Sequence, residues 1–174
     1  MLKNSLVVNL FAAPGYGKST ALAGLYSEMK WRGVNCEIAT EAAKDLVWEE
    51  SFTRLNEQPY VFGQQLMRIK RLVGKADFII TDSPMLLSPL YEKGDSSYLH
   101  ALALYEHNKL NNVNFLLNYS GFFNESGRIH TLTDSVMLQN RIKSMLDENQ
   151  VAYNISSSAK PDVLDMVDYI TSLI

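Results

Sequence analysis

Residues 12–20 read AAPGYGKST and follow the apolar run SLVVNLF. Gly17, Lys18 and Ser19 fit the pattern G-x4-G-K-[ST] at every defined position except the first, where Ala12 stands, and Gly15 adds a second glycine within the loop. Glycines at these places let the backbone curl until successive N–H groups converge on phosphate oxygens. The helix that follows adds the positive end of its dipole. Lys18 would reach the β- and γ-phosphates of ATP, and Ser19 would offer its hydroxyl to Mg²⁺. Pro14, Tyr16 and Thr20 complete the set of nucleotide-binding candidates. Ala12 carries only a methyl group, and the crowded part of such a loop lies nearer Gly15–Lys18. The expected effect is a shifted entry angle, with nucleotide binding retained.

A second element of this chemistry is ADFIITDSP, an apolar run that ends in Asp82. A carboxylate at that place aims at the metal shell beside the loop, although a strand-ending Asp also serves simply to cap a turn. A phosphoryl acceptor needs a base or orienting carboxylate as well. Glu41, just past the next apolar run in EIATEAAKDL, suits that role because neighbouring parallel strands end on one rim. It suits equally the capping of a short helix, and Asp82 competes for the role of base.

Gln64, Arg68 and Arg71 fall opposite an apolar stripe of Phe62, Leu66, Ile69 and Val73, which fits a solvated face. Gln65 flanks that stripe and could read a pyrimidine edge with its paired donor and acceptor. Gln65 and Arg68 are therefore substrate-binding candidates. Arg128, in the polar segment SGFFNESGRIHT, would offset transition-state charge from a lid of about residues 120–132. Arg141 is a second candidate. His100, His107 and His130 lack metal-like spacing.

These groups must be carried by a scaffold, and its pattern is legible. Apolar runs at Leu6–Phe11, Val34–Thr40, Ala76–Thr81, Val113–Tyr119 and residues 151–156 alternate with helical stretches. The helices expected are Lys18–Arg32, a short one in EAAKDLVWEES, one opened by Pro59, one near Ser97–Leu110, one near Asp134–Glu148 and a last from Pro161. Alternation of this kind implies a parallel sheet covered on both faces, a three-layer α/β domain spanning residues 1–174. Near-continuous apolar strands fit burial on both sides.

The 174 residues are 47% hydrophobic and 20% charged, ordinary for one globular domain. Sixteen basic against nineteen acidic residues argue against a broad electrostatic nucleic-acid binder. Cys36 is the single cysteine, which excludes an internal disulfide and suggests a buried thiol. The first residues are too short for a secretory signal, and no apolar stretch approaches the ~18 residues of a membrane span. The expectation is a cytoplasmic protein without a membrane partner; a homodimer is left open. After the fourth strand stands NYSG, where a GTPase would carry N-K-x-D. The length leaves little room for a motor ATPase. A compact P-loop kinase is the class these features favour.

The segments NLFAAPGYGKSTALAGLYSEMKWRG, EIATEAAKDLVWE, YVFGQQLMRIKRLVGKADFIITDSPMLL and GRIHT resemble bacteriophage P-loop kinases of the thymidylate-kinase-like class. Within that class the chain is most similar to the 5-hydroxymethyluracil DNA kinase group. The similarity weakens after about Leu146. It implies strand order 2-3-1-4-5, ATP on Gly15–Thr20, and Glu41 and Asp82 flanking acceptor and metal. It also implies a particular acceptor, the hydroxymethyl group of 5-hydroxymethyluracil in phage DNA, as a step in thymidine hypermodification in the host cytoplasm. Such a base must present its hydroxymethyl in the major groove or be flipped out. Lys70, Arg71, Lys75 and Arg68 would form a local basic face. A kinase of a free nucleoside, nucleotide or nicotinamide riboside, and an ATPase or nucleotide switch acting on a protein partner, are the alternatives.

Overall fold

A computed structural model describes residues 5–119, 121 and 132–173. Its centre is one parallel sheet of five strands: β1 (Leu6–Phe11), β2 (Cys36–Ala39), β3 (Phe78–Thr81), β4 (Asn111–Asn118) and β5 (Asn154–Ser157). Their order is β2-β3-β1-β4-β5, as expected for the class. The helices are α1 (Lys18–Trp31), α2 (Ala42–Trp48), α3 (Phe52–Asn56), α4 (Gln58–Lys70), α5 (Ser88–Tyr91), α6 (Ser97–Asn108), α7 (Leu132–Glu148) and α8 (Lys160–Thr171), with a 3-10 turn at Met85–Leu87.

Crossovers between parallel strands are right-handed. The chain steps one way from β1 to β2 and the other way in every later crossover. That reversal sends α1 to one face and the later crossover helices to the other. The switch falls between β1 and β4. α8 closes the first face against α1, and the approach is tight: a Cβ on Gly24 would lie 3.0 Å from Val163 Cγ1. α1 is held to the sheet by Ala21, Leu22, Leu25 and Met29, all buried at helical spacing.

β3 is buried at every position, as a central strand should be. β1 and β4 are not purely apolar, contrary to expectation. Asn9 lies 1% exposed in β1, and its Nδ2 donates to Asn112 Oδ1 at 2.9 Å and Asn114 Oδ1 at 3.0 Å. Asn114 Nδ2 in turn donates to Ala152 O, and Asn112 Nδ2 to His107 O and Leu110 O. Asn9 pairs with Asn114 across the ladder, and Asn112 lies two residues earlier on the same face. A one-residue slip would break this network.

Several boundaries differ from the sequence expectation, among them the third strand, which starts at Phe78, and the fourth, which spans Asn111–Asn118; three of the differences have a clear local reason. The last strand starts at Asn154, not Val151, because the Val151 N–H closes the end of α7 on Leu146 O. The second spans only Cys36–Ala39, since Val34 N–H is spent on Met29 O at the end of α1. The stripe ending in Val73 is also shorter: α4 stops at Lys70, and Val73 is exposed in the turn that follows. Cys36 is buried as expected, and burial raises its thiol pKa. Among the described residues no helix is long and apolar enough to cross a membrane.

Candidate active site

The glycine loop leaves β1 at Phe11 and enters α1 at Lys18. Gly15 and Gly17 have φ of 88° and 81°, a left-handed backbone that side chains disfavour. This curl turns the chain into the helix, whose first turn presents exposed Ser19 and Thr20. Ala12 is fully buried within the core, so its methyl group serves packing. Its carbonyl accepts from Lys18 Nζ at 2.8 Å, and that of Ala13 at 3.1 Å. The ammonium thus folds over the opening of its own loop. Tyr16 is 6% exposed and its ring packs on Tyr119 with centroids 5.6 Å apart. Burial, then Tyr119, pushes its phenol pKa up. The Tyr16 side chain is committed to packing.

Asp82 follows directly on β3, and the pairing of Asn9 with Thr81 brings that end beside the loop. Ser19 Oγ donates to Asp82 Oδ2 at 2.8 Å. Asp82 is 6% exposed, and its Oδ1 is buried without a hydrogen-bond partner among the described residues. A buried carboxylate oxygen left unpaired is costly unless a cation or donor completes it. The pair fits Mg²⁺, which favours oxygen ligands and needs only one or two from protein when phosphates and water supply the rest. No group of three or more His, Cys, Asp or Glu able to hold a metal occurs among the described residues, so a cage made wholly of protein is not on offer there.

Glu41 stands at the N-cap of α2 but makes no capping hydrogen bond with its side chain. The cap comes from elsewhere. Gln65 Oε1 accepts the Ala42 N–H at 2.9 Å, and Gln65 Nε2 donates to Thr81 Oγ1 at 3.2 Å. Thr81 Oγ1 also accepts from Ser83 N–H at 3.1 Å. Gln65 therefore ties the exit of β2 to the exit of β3, fixing Glu41 and Asp82 relative to one another. Burial first, and Asp82 next among the raising effects, lift the Glu41 carboxyl above its ordinary range, against the opposing pull of Lys18 and Lys44.

Two expectations about substrate contacts are corrected by these bonds. Gln65 is 2% exposed with both ends of its amide engaged, so it cannot read a base edge. Arg68 donates to Thr40 Oγ1 at 2.9 Å and Thr40 O at 3.2 Å, and pairs with Asp45. It locks the turn from β2 into α2. The suggested basic face is also displaced. Lys70 pairs with Glu106 at 2.7 Å, while Lys70, Arg71 and Lys75 border the turn leading into β3, on the rim away from Asp82.

Tyr91, at the end of α5, carries no motif and had no signal in the sequence. Burial and then Glu41 push its phenol up to about 12, opposed by Arg141, so Tyr91 stays a neutral phenol beside that carboxylate. Arg141 Nη2 donates to Leu90 O at 3.3 Å, which puts the guanidinium against the same short helix. Lys18, Ser19, Asp82, Glu41 and Tyr91 thus come together, while Arg128 and His130 lie outside the described residues, as does nearly all of the 120–132 lid. Among known proteins, no family model and no curated sequence matches the chain.

Proposed function

We propose that this chain is an ATP-dependent P-loop kinase that transfers the γ-phosphate to a hydroxyl acceptor. The observation that carries this is the Ser19–Asp82 pair at the mouth of a glycine loop, with Glu41 in the field of both Asp82 and Lys18. ATP would lie on Gly15–Thr20, and Lys18 would exchange its two loop carbonyls for phosphate oxygens. Ser19 and Asp82 would hold Mg²⁺, which neutralises charge on the triphosphate.

Asp82 has one oxygen engaged with Ser19, whereas Glu41 is spared from capping by Gln65. Glu41 is accordingly the base. It takes the acceptor proton as the acceptor oxygen bonds to the γ-phosphorus. The bond from phosphorus to the β–γ bridging oxygen breaks, and its electron pair leaves with ADP. Tyr91, whose phenol feels the Glu41 charge, would stand as a neutral group near the acceptor.

The acceptor proposed is the hydroxymethyl group of 5-hydroxymethyluracil in DNA, on the strength of the resemblance in EIATEAAKDLVWE and ADFIITDSPMLL. A free nucleoside or nucleotide is the second reading, favoured by the position of Lys70, Arg71 and Lys75 on the far rim. Labelled γ-phosphate offered with a panel of acceptors distinguishes them. Label in hydroxymethyluracil-containing DNA, and none in free nucleosides, is the expected result. Label only in a nucleoside would install the second reading, and release of phosphate to water alone would mark an ATPase.

A further inference from the structure

The ladder between β1 and β4 runs to Phe11 opposite Leu116. Two residues further, the same register would set Ala13 opposite Asn118, with the Ala13 N–H donating to Leu117 O. That bond is not made. The side chain of Gln139, from α7, stands in its place. Gln139 Oε1 accepts the Ala13 N–H at 2.8 Å, and Gln139 Nε2 donates to Leu117 O at 3.0 Å. A carboxamide carries the same donor and acceptor as a peptide unit, so it continues the ladder while spreading the strands. The spreading occurs at the switch point, where β1 must leave the sheet to form the phosphate loop.

We propose that Gln139 is a positioning residue for the phosphate loop, wedging β1 from β4 so that the loop opens at the width a triphosphate needs. The inference rests on the kinase reading above. Ala13 is the residue whose carbonyl, with that of Ala12, receives Lys18. The peptide held by Gln139 is therefore directly linked to the group that must meet the phosphates. Buried polar atoms left without partners are costly, so the loop cannot keep this form once the wedge is lost.

The test compares the unaltered chain with Gln139→Met, which keeps the volume, and Gln139→Glu, which keeps the shape. Ala13 amide exchange is measured without nucleotide, and affinity for ATP with Mg²⁺ by titration. Gln139→Met is expected to speed Ala13 exchange about tenfold and weaken ATP binding about five- to tenfold, with Val8 still protected. Gln139→Glu should bind ATP poorly at pH 8 and recover towards pH 5, as its carboxyl regains a proton to give to Leu117 O. A purely structural role predicts that only thermal stability falls and recovers with pH, while the ATP affinity of the folded protein follows that of the unaltered chain.

Unchanged Ala13 exchange together with ATP affinity within about twofold in Gln139→Met would overturn the proposal. Should that variant not fold, a pH profile of Gln139→Glu parallel to that of the unaltered chain would overturn it equally. Failure of the unaltered chain to bind ATP would overturn the kinase reading and this proposal with it. The two failures are distinguishable because exchange at Ala13 needs no nucleotide.

Discussion

In the proposed kinase Lys18 and Glu41 do different work, and their variants should separate cleanly. Lys18→Ala removes the side chain that closes on the Ala12 and Ala13 carbonyls, and phosphoryl transfer should fall by about 10²–10³-fold or more, measured as kcat/KM for ATP. Glu41→Gln should leave ATP affinity within about twofold and cut turnover by about 10²-fold, since it removes only the proton acceptor. Its pH behaviour is a sharper check. A raised carboxyl pKa means the base is lost to protonation sooner as pH falls, so the acid limb of the rate profile should sit above the ordinary carboxylate range. The same shift sets a sign for stability. A group whose pKa is raised on folding favours the folded state below its unfolded value and loses that contribution as pH rises. The Glu41 charge therefore opposes folding at pH 7, and Glu41→Gln should melt no lower than the unaltered protein in thermal denaturation. A lower melting point would restore the capping role that Gln65 now holds.

At the scale of elements, the sheet is specified by more than apolar runs. Replacing Asn9 by Leu would leave Asn112 Oδ1 and Asn114 Oδ1 without their donor and should cost about 1–3 kcal/mol, measured by urea denaturation. The position of β1, the apolar strand β3 and the glycine loop between β1 and α1 were legible because each is a local pattern. The Asn9–Asn112–Asn114 network was not, because it exists only in the register of β1 on β4, and asparagine in a strand reads as surface. Gln65 was misread for a related reason. Helix patterning put it beside the stripe, but its partners, Ala42 and Thr81, come from the ends of two other elements. Gln139 likewise looks like an ordinary polar residue of α7 until two strands are seen to part around it.

For the whole molecule, the parallel order β2-β3-β1-β4-β5 brings all five strand ends to one rim, and residues 18, 41 and 82 follow three of them. The strand–helix alternation foretold the layers, whereas the resemblance supplied the order. The fold also carries a liability in acid. His107 is 4% exposed on α6, and burial lowers its pKa to about 4. It is neutral inside and would rather be charged once unfolded. Stability is fully present above the unfolded value of about 6.5 and is lost as pH falls towards 4, by about 3 kcal/mol. Chemical denaturation at pH 7 and pH 4.5 should show much of this loss, and His107→Phe should flatten it.

The claim on which all else depends is that Gly15–Thr20 and Asp82 form one Mg-ATP site. Calorimetric titration of the chain with ATP, with and without Mg²⁺, tests it most directly when Lys18→Ala and Asp82→Asn are run alongside. The account predicts binding that Mg²⁺ tightens, that Lys18→Ala abolishes, and whose Mg²⁺ dependence Asp82→Asn removes. No heat of binding from the unaltered chain, or binding indifferent to both substitutions, would contradict it.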